Sequence, residues 1–334
     1  MTNVKKILND PRRVVEEMVE GLELANDGRV MRLPDHAALV RRDIPDGKVA
    51  LLIGGGSGHE PLFHGFIGHN LADGAACGQV FAAPAPDIIH AAAKAVHRGK
   101  GVLFLYGNYA GDNMNFDIAA DMLEDDDIEV RTVRVRDDVA AAPPERVHDR
   151  RGVAGDVLMI KIAGGAAAVC DSLDEVERIA RKAEANVRSI GVAVSAGSLP
   201  ETGRPTFELP DDEIEVGMGA HGEPGVARQK ITNADAIAEQ MVEALLKDLP
   251  FARGDEIALV INNFGATTMM EMLIVNRRVR QILAEAGISV YRTHMGSWLT
   301  VQEMAGFSIT FMRLDEELKR YLDMPCDSFG FQRM

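Results

Sequence analysis

The sequence predicts an α/β protein of two domains, residues 1–187 and 188–334, with largely parallel sheets. Three observations predict it. Short unbroken apolar runs recur in both halves, at 49–53, 102–106, 190–194 and 257–261, as in strands buried on both faces. Amphipathic segments of helical length alternate with them. The length of 334 residues also suits two cores better than one. No linker of distinctive composition marks the junction, which is placed within 186–189.

Taken in order, Asp10 and Pro11 have the character of N-cap and first residue of a helix with Val14, Val15, Met18 and Leu22 on one face. Residues 33–43 read as irregular. Asp46-Gly47 then turns into the stretch KVALLIGGGSGHEP, from Lys48 to Pro61. Its apolar run meets three glycines, Ser57, Gly58, His59, Glu60 and Pro61. Proline lacks an N–H and suits the first turn of a helix. The stretch therefore reads as strand, tight glycine turn and helix start, with His59 and Glu60 at the tip where α/β sheets hold ligands. It is no Walker A loop, because Gly58-His59-Glu60 stands where Gly-Lys-Ser/Thr is required. A dinucleotide fingerprint would need glycine at 59. A close-packed turn without chemistry is the plainer alternative; an ionisable histidine beside N–H donors argues for a ligand. His59, His64 and His69 are spaced by five with Pro61 and Gly65 between them. That is unlike the H-E-x-x-H helix of zinc sites, and no metal site is read.

Pro86 and Asp87 start a helix to about Val96, ended near Gly99. A strand over 102–106 leads into a polar loop with Gly107 and Asp112, then a helix from about Asn115 to Leu123. Local pattern alone makes Asp112 a helix cap. Residues 129–135 alternate as a strand, 138–152 form a charged loop, and 157–162 read as a further strand. Ser172 and Glu175 make a capping box for a helix to about Asn186. The strand at 190–194 is followed by a turn-rich stretch over 195–216. Next comes GMGAHGEPG at 217–225, which sets His221 among four glycines instead of the apolar neighbours of a core histidine. Beyond it, 233–246 is an amphipathic helix, 257–261 a buried strand and NNFGATT a loop. A helix runs from about Thr268 to Ala286, stopped at Gly287, and 288–293 and 307–314 read as strands. No internal repeat is strong enough to indicate duplication.

A formal net charge of −15, from 36 basic and 51 acidic residues, argues against nucleic acid or an anionic membrane as the main partner. A mean hydropathy of −0.05 with 26% charged residues is that of a soluble globular chain. No charged-then-apolar leader and no apolar run of membrane-spanning length is found, so the cytoplasm is the expected compartment. Cys77, Cys170 and Cys326 are odd in number and far apart, which fits neither a disulfide framework nor a zinc site.

Four motifs, GGGSGHEP, NYAGDNMNF, GAHGEPG and NNFGAT in this order, resemble the substrate-binding (K) subunit of the dihydroxyacetone kinase family. The resemblance runs from the first helix to the FSIT strand, and four motifs at family-like spacing are far more specific than one glycine loop. It implies two α/β domains, a homodimer, and a glycerone kinase-type phosphotransferase with an alcohol group as acceptor. By the resemblance, His221 bonds covalently to the carbonyl of a small ketose as a hemiaminal. Asp112 is the base on the hydroxyl to be phosphorylated. His59 hydrogen-bonds the substrate together with Gly56, Ser57 and Gly58. These roles are physically sound. A neutral imidazole nitrogen adds to a ketone carbon, which selects carbonyl compounds over polyols such as glycerol. His59 at a helix start can donate to the developing oxyanion, and a positioned carboxylate accepts a hydroxyl proton.

The resemblance also implies that this chain itself binds no cofactor. ATP or ADP with Mg is carried by a separate helical L domain or subunit, which single-chain members append after the K domain. This chain ends at Met334, so an L partner is expected, recharged either by free ATP or through a phosphotransferase M subunit. Two departures bear on the substrate. Many members carry a substrate-contacting lysine where Gly107 stands, and Phe81-Ala82-Ala83-Pro84 lacks the hydroxyls usual before that proline. The void left by the lysine suits an additional CHOH unit, so a kinase for a four-carbon ketose such as erythrulose is one alternative. Another side chain filling the space, such as Tyr106, would preserve the three-carbon preference. A non-catalytic ketose-sensing coactivator is the other alternative, and Asp112 argues against it because a sensor needs no base. A dinucleotide-dependent oxidoreductase fails on its fingerprint.

Overall fold

The structure, a computed structural model, describes residues 4–333. Asp10 caps a short 3-10 turn, its carboxylate accepting the Arg12 N–H at 3.0 Å, and α1 (Val14–Ala25) follows. The stretch 33–43, expected to be irregular, contributes β2 (Ala38–Arg41), which pairs antiparallel with β1 (Val30–Arg32). Strand β3 (Ala50–Ser57) runs on through all three glycines, residues 58–59 bend and residues 60–63 are turns. The helix start expected at Pro61 does not form. Parallel pairing of Gly54–Gly56 with 76–78 holds this backbone extended. After β4 (Gly68–His69) and β5 (Gly74–Val80), α2 (Pro86–Val96) begins at the expected proline. Then come β6 (Val102–Gly107), α3 (Ala110–Glu124) and β7 (Val130–Val135). The sheet order is β1-β2-β5-β3-β6-β7, with the last four strands parallel. Leu52, Phe104 and Tyr106 pack on Ile89 and Val96 of α2 and on Phe116 and Leu123 of α3 to form a core.

Residues 157–162, expected to be a strand, are the middle of α4 (Gly155–Val169). Every residue from 153 to 167 is buried, so the segment has no polar face, and a continuous apolar run does not separate helix from strand by period. A side chain at Gly164 would stand 2.5 Å from the Leu71 Cα, so glycine lets other backbone press against the helix. Helix α5 (Leu173–Ala185) starts at its expected cap, with Glu175 N–H on Ser172 Oγ at 3.3 Å.

The second large sheet is built from β8 (Val187–Ala193), β9 (Glu213–Val216), β10 (Ala227–Lys230), β11 (Glu256–Asn263), β12 (Ser289–Gly296) and β13 (Gly306–Leu314), in the order β10-β9-β8-β13-β11-β12. Only β11 and β12 are parallel; every other neighbouring pair is antiparallel, against the largely parallel sheets expected. Two of these pairs come from β13, a late strand inserted between β8 and β11 with reversed direction, and the other two join β8, β9 and β10 in succession. Helices α6 (Ala234–Asp248) and α7 (Met269–Ala286) contribute Met241, Leu245, Met272 and Val279 to its core. Finally α8 (Glu316–Leu322), β14 (Cys326–Ser328) and β15 (Gln332–Arg333) close the chain, with β14 pairing between β15 and β4.

The chain divides into two compact units. The first holds 5–135, 156–183 and the chain from 318 onward; the second holds 136–155 and 184–317, with Val4. A single junction at 187/188 therefore does not describe them. Residues 136–155 belong with the later sheet because the backbone of Asp137 and Val139 bonds Ser189 of β8, at 2.7 and 3.0 Å.

Candidate functional site

In the first unit, β3 ends in close backbone packing that only glycine permits. A Cβ at Gly54 would stand 2.7 Å from Ala76 O, one at Gly56 would stand 2.8 Å from Ala82 N, and one at Gly55 would overlap the Phe63 ring. Gly58, at φ +101°, turns the chain out of the strand. His59 is only 3% exposed, and its ring centroid lies 5.0 Å from that of Phe81. Phe81 itself has φ +57°, a left-handed conformation unusual for a bulky side chain and typical of ligand clamps. Glu60 accepts the Gly58 N–H at 2.8 Å, and burial pushes its carboxyl above the usual range. His59 thus sits in a turn braced by Phe81 and Glu60, without the helix N-terminus expected there.

Ser57 faces inward. Its hydroxyl donates to Gly78 O at 2.7 Å, and its oxygen lies 3.3 Å from His64 Nε2, while Cys77 Sγ lies 3.2 Å from His64 Nδ1. With the Ser57 proton committed to Gly78, His64 donates from Nε2 and accepts the thiol proton at Nδ1. Burial holds His64 down to about 4 and pushes the Cys77 thiol far up, so both are neutral near pH 7. His69 is exposed on β4. The three early histidines thus serve different places, and among the described residues no group of three or more His, Cys, Asp or Glu is arranged to hold a metal.

Asp112 lies in the first turn of α3, which starts five residues earlier than expected. The N-cap position is Tyr109, in extended conformation with no capping side chain, so Asp112 is not the cap. Its residue exposure is 9%, and it lies in the first turn, beside the partial positive charge of the helix N-terminus. The segment 81–84 links the glycine loop to this helix: a Cβ at Gly111 would sit 3.3 Å from Ala83 Cβ, and Asn115 Nδ2 donates to Pro84 O at 2.8 Å. The unit therefore gathers Gly56, Ser57, Gly58, His59, Phe81 and Asp112 around one stretch. Gly107 ends β6. The preceding Tyr106 points the other way, into the core, stacked on Phe116 at 4.1 Å with Arg134 donating to its hydroxyl at 3.1 Å.

His221 lies in the second unit. Its loop is rooted on β8, with Gly217 N–H on Gly191 O at 2.7 Å, and Phe264 of the NNFGAT loop packs beneath Gly191. Gly217 and Gly222 take φ of +80° and +86°. The His221 side chain is 24% exposed, and its Nδ1 lies 2.9 Å from Glu223 Oε1. Glu223 Oε2 accepts the His221 backbone N–H, also at 2.9 Å. Burial pushes the Glu223 carboxyl up, but the hydrogen bond and charge of His221 outweigh it and hold it at about 2. An ionised carboxylate only accepts, so Nδ1 carries a proton, and in the neutral ring the lone pair lies on Nε2. Sequence reasoning did not give Glu223 a role. Its signal is a carboxylate two residues after a histidine across a glycine.

Among the described residues no helix is long and apolar enough to cross a membrane. Residues 20–330 match the Dak1 domain. Over 332 residues the chain is 44% identical to the PTS-dependent dihydroxyacetone kinase 2, dihydroxyacetone-binding subunit DhaK, of Listeria innocua, covering 98% of this chain and 99% of that one. It is 39% identical over 331 residues to an L-erythrulose kinase of Pectobacterium atrosepticum, covering 98% of this chain and 56% of that protein. Among solved structures, the dihydroxyacetone kinase from C. freundii in complex with AMP-PNP and Mg2+ matches with a TM-score of 0.91 and 33% identity, covering 98% of this chain and 61% of that one.

Proposed function

The chain belongs to the Dak1 domain family, and on that footing we propose that it is the ketose-binding subunit of a small-ketose kinase. It holds a dihydroxyacetone-type substrate for phosphorylation at a terminal hydroxyl. The 44% identity with a DhaK subunit, over 98% of this chain, supports this reading. An L partner supplies nucleotide and Mg, and an M subunit of the phosphotransferase system recharges it. The functional form is a cytoplasmic homodimer of this chain with those partners.

One observation carries the chemistry: His221 is tied through Nδ1 to an ionised Glu223, which leaves Nε2 as a nucleophile. Nε2 forms a bond to the ketone carbon as the carbon–oxygen π bond breaks, and the oxygen takes up a proton, donated by His59 or water. The imidazole gains positive charge in this step, which the Glu223 carboxylate balances. Asp112 then accepts the proton of the terminal hydroxyl as that oxygen attacks the phosphoryl group on the partner. His221→Ala is expected to abolish the adduct with no loss of fold. Nitrogen-15 spectra of histidine-labelled protein at saturating dihydroxyacetone check it: an unchanged His221 imidazole in the wild type overturns the covalent reading.

A second reading, a four-carbon substrate, is favoured by the orientation of Tyr106, whose burial in the core leaves the Gly107 side of β6 without that ring. The L-erythrulose kinase relative supports it. Erythrulose is expected to reach a kcat/KM at least equal to that of dihydroxyacetone on the kinase assembled with its L partner. Gly107→Lys shifts the preference toward three carbons. A clear preference of the wild type for dihydroxyacetone over every four-carbon ketose counts against it.

A further inference from the structure

The loop that presents His221 is braced by a side chain from a distant stretch of the chain. Arg151 follows the charged segment after β7, and its side chain is 13% exposed. Its Nε and Nη2 donate to Asp138 Oδ2 at 2.9 and 2.7 Å, and Nη2 also donates to Gly217 O at 2.9 Å. Asp138 is fixed in turn: its Oδ1 accepts the Ala140 N–H at 3.0 Å, and its own N–H donates to Arg151 O at 3.2 Å. The third nitrogen, Nη1, faces the loop itself. A Cβ at Gly219 would stand 2.5 Å from Arg151 Nη1 and closer still to Glu223 Oε2. The guanidinium and the Glu223 carboxylate therefore crowd the same side of Gly219, and only glycine fits there.

We infer that Arg151 is a positioning residue for the nucleophilic histidine, acting through Gly217 and Glu223. The inference rests on the reading of His221 as the nucleophile. Two physical effects follow. The bond to Gly217 O fixes the root of the loop, so that Glu223 meets both the backbone and the ring of His221. The positive charge beside Glu223 also offsets the carboxylate's pull on a second imidazole proton. A carboxylate alone favours the imidazolium, whose Nε2 has no lone pair to give a ketone. The other charged groups around the loop are already engaged: Glu215 on β9 pairs with Arg228 on β10 at 3.0 Å and accepts the Gly225 N–H at 2.7 Å, and Asp137 accepts the N–H groups of Val153 and Gly155 at 2.8 Å.

The test uses the full chain, without its kinase partner. Nitrogen-15 shifts of His221 are followed from pH 5 to 9 with and without dihydroxyacetone, in wild type, Arg151→Met and Arg151→Lys. In Arg151→Met the His221 titration is expected to rise by about one pH unit. Dihydroxyacetone affinity should fall about tenfold at pH 7 and recover toward pH 9. A loss from loosened packing alone would be flat with pH. Arg151→Lys keeps the charge and loses the forked geometry, so it leaves the titration within a few tenths of a unit while weakening binding several-fold. That variant decides the matter where the methionine variant does not fold. A wild-type titration in Arg151→Met, or wild-type affinity in Arg151→Lys, overturns the inference. Absence of an adduct in the wild type overturns the nucleophile reading instead, and the ligand-free titration still judges Arg151.

Discussion

Asp112→Asn is expected to lower the phosphorylation rate by roughly two to four orders of magnitude while ketose affinity stays within about threefold. Asparagine matches aspartate in shape and still hydrogen-bonds a hydroxyl, but it cannot take the hydroxyl proton. The effect therefore falls on kcat with little change in ground-state binding. The fold is expected to tolerate the change. Asp112 is not the N-cap of α3, and losing a charge in the first turn of a helix costs about 0.3–1 kcal/mol. Calorimetry of the ketose with the variant, and a coupled assay with the L partner, separate the two quantities. Affinity lost with rate retained at saturation would remove Asp112 from the role of base.

The second large effect is on stability and arises at His64. Burial holds its pKa at about 4, below the unfolded value of about 6.5. The fold thus favours the neutral ring, a contribution fully present above pH 6.5 and lost as pH falls toward 4. The loss amounts to roughly 3 kcal/mol, a large share of the stability of an ordinary domain. Near the ring stand Ser57, Cys77 and, at 3.8 Å, Glu60, whose carboxyl burial keeps it from ionising readily. None of them offers a firm counter-charge to an imidazolium. His64→Gln keeps a donor and an acceptor and cannot titrate. Its urea midpoint is expected at or below that of the wild type at pH 7.5 and above it near pH 4. A gap between the two proteins that stays constant with pH would falsify the assignment.

The sequence by itself determined what is decided within a turn or two of chain. Asp10, Asn233, and Thr268 with Glu271 start helices as their side chains require, and Gly287 ends α7 at φ +74°. The motifs GGGSGHEP, NYAGD and GAHGEPG are likewise read from short stretches, and the family they indicate is the one the chain belongs to. Tertiary structure decided whatever depended on partners far along the chain. Residues 157–162 are helical although their apolar run suits a strand, because burial on all sides erases the period that separates the two. The glycines after Ile53 stay in β3 because residues 76–78 pair with them, and Ser57 turns inward because Gly78 and His64 lie across the strands. The second sheet is mostly antiparallel because β13 inserts between strands that precede it and β8, β9 and β10 pair in alternating directions. Arg151 reaches Gly217 across 66 positions of sequence. Local hydrogen bonds and φ preferences are written in neighbouring residues, whereas burial and pairing belong to whichever distant segments fill the space, and only the folded chain fixes those.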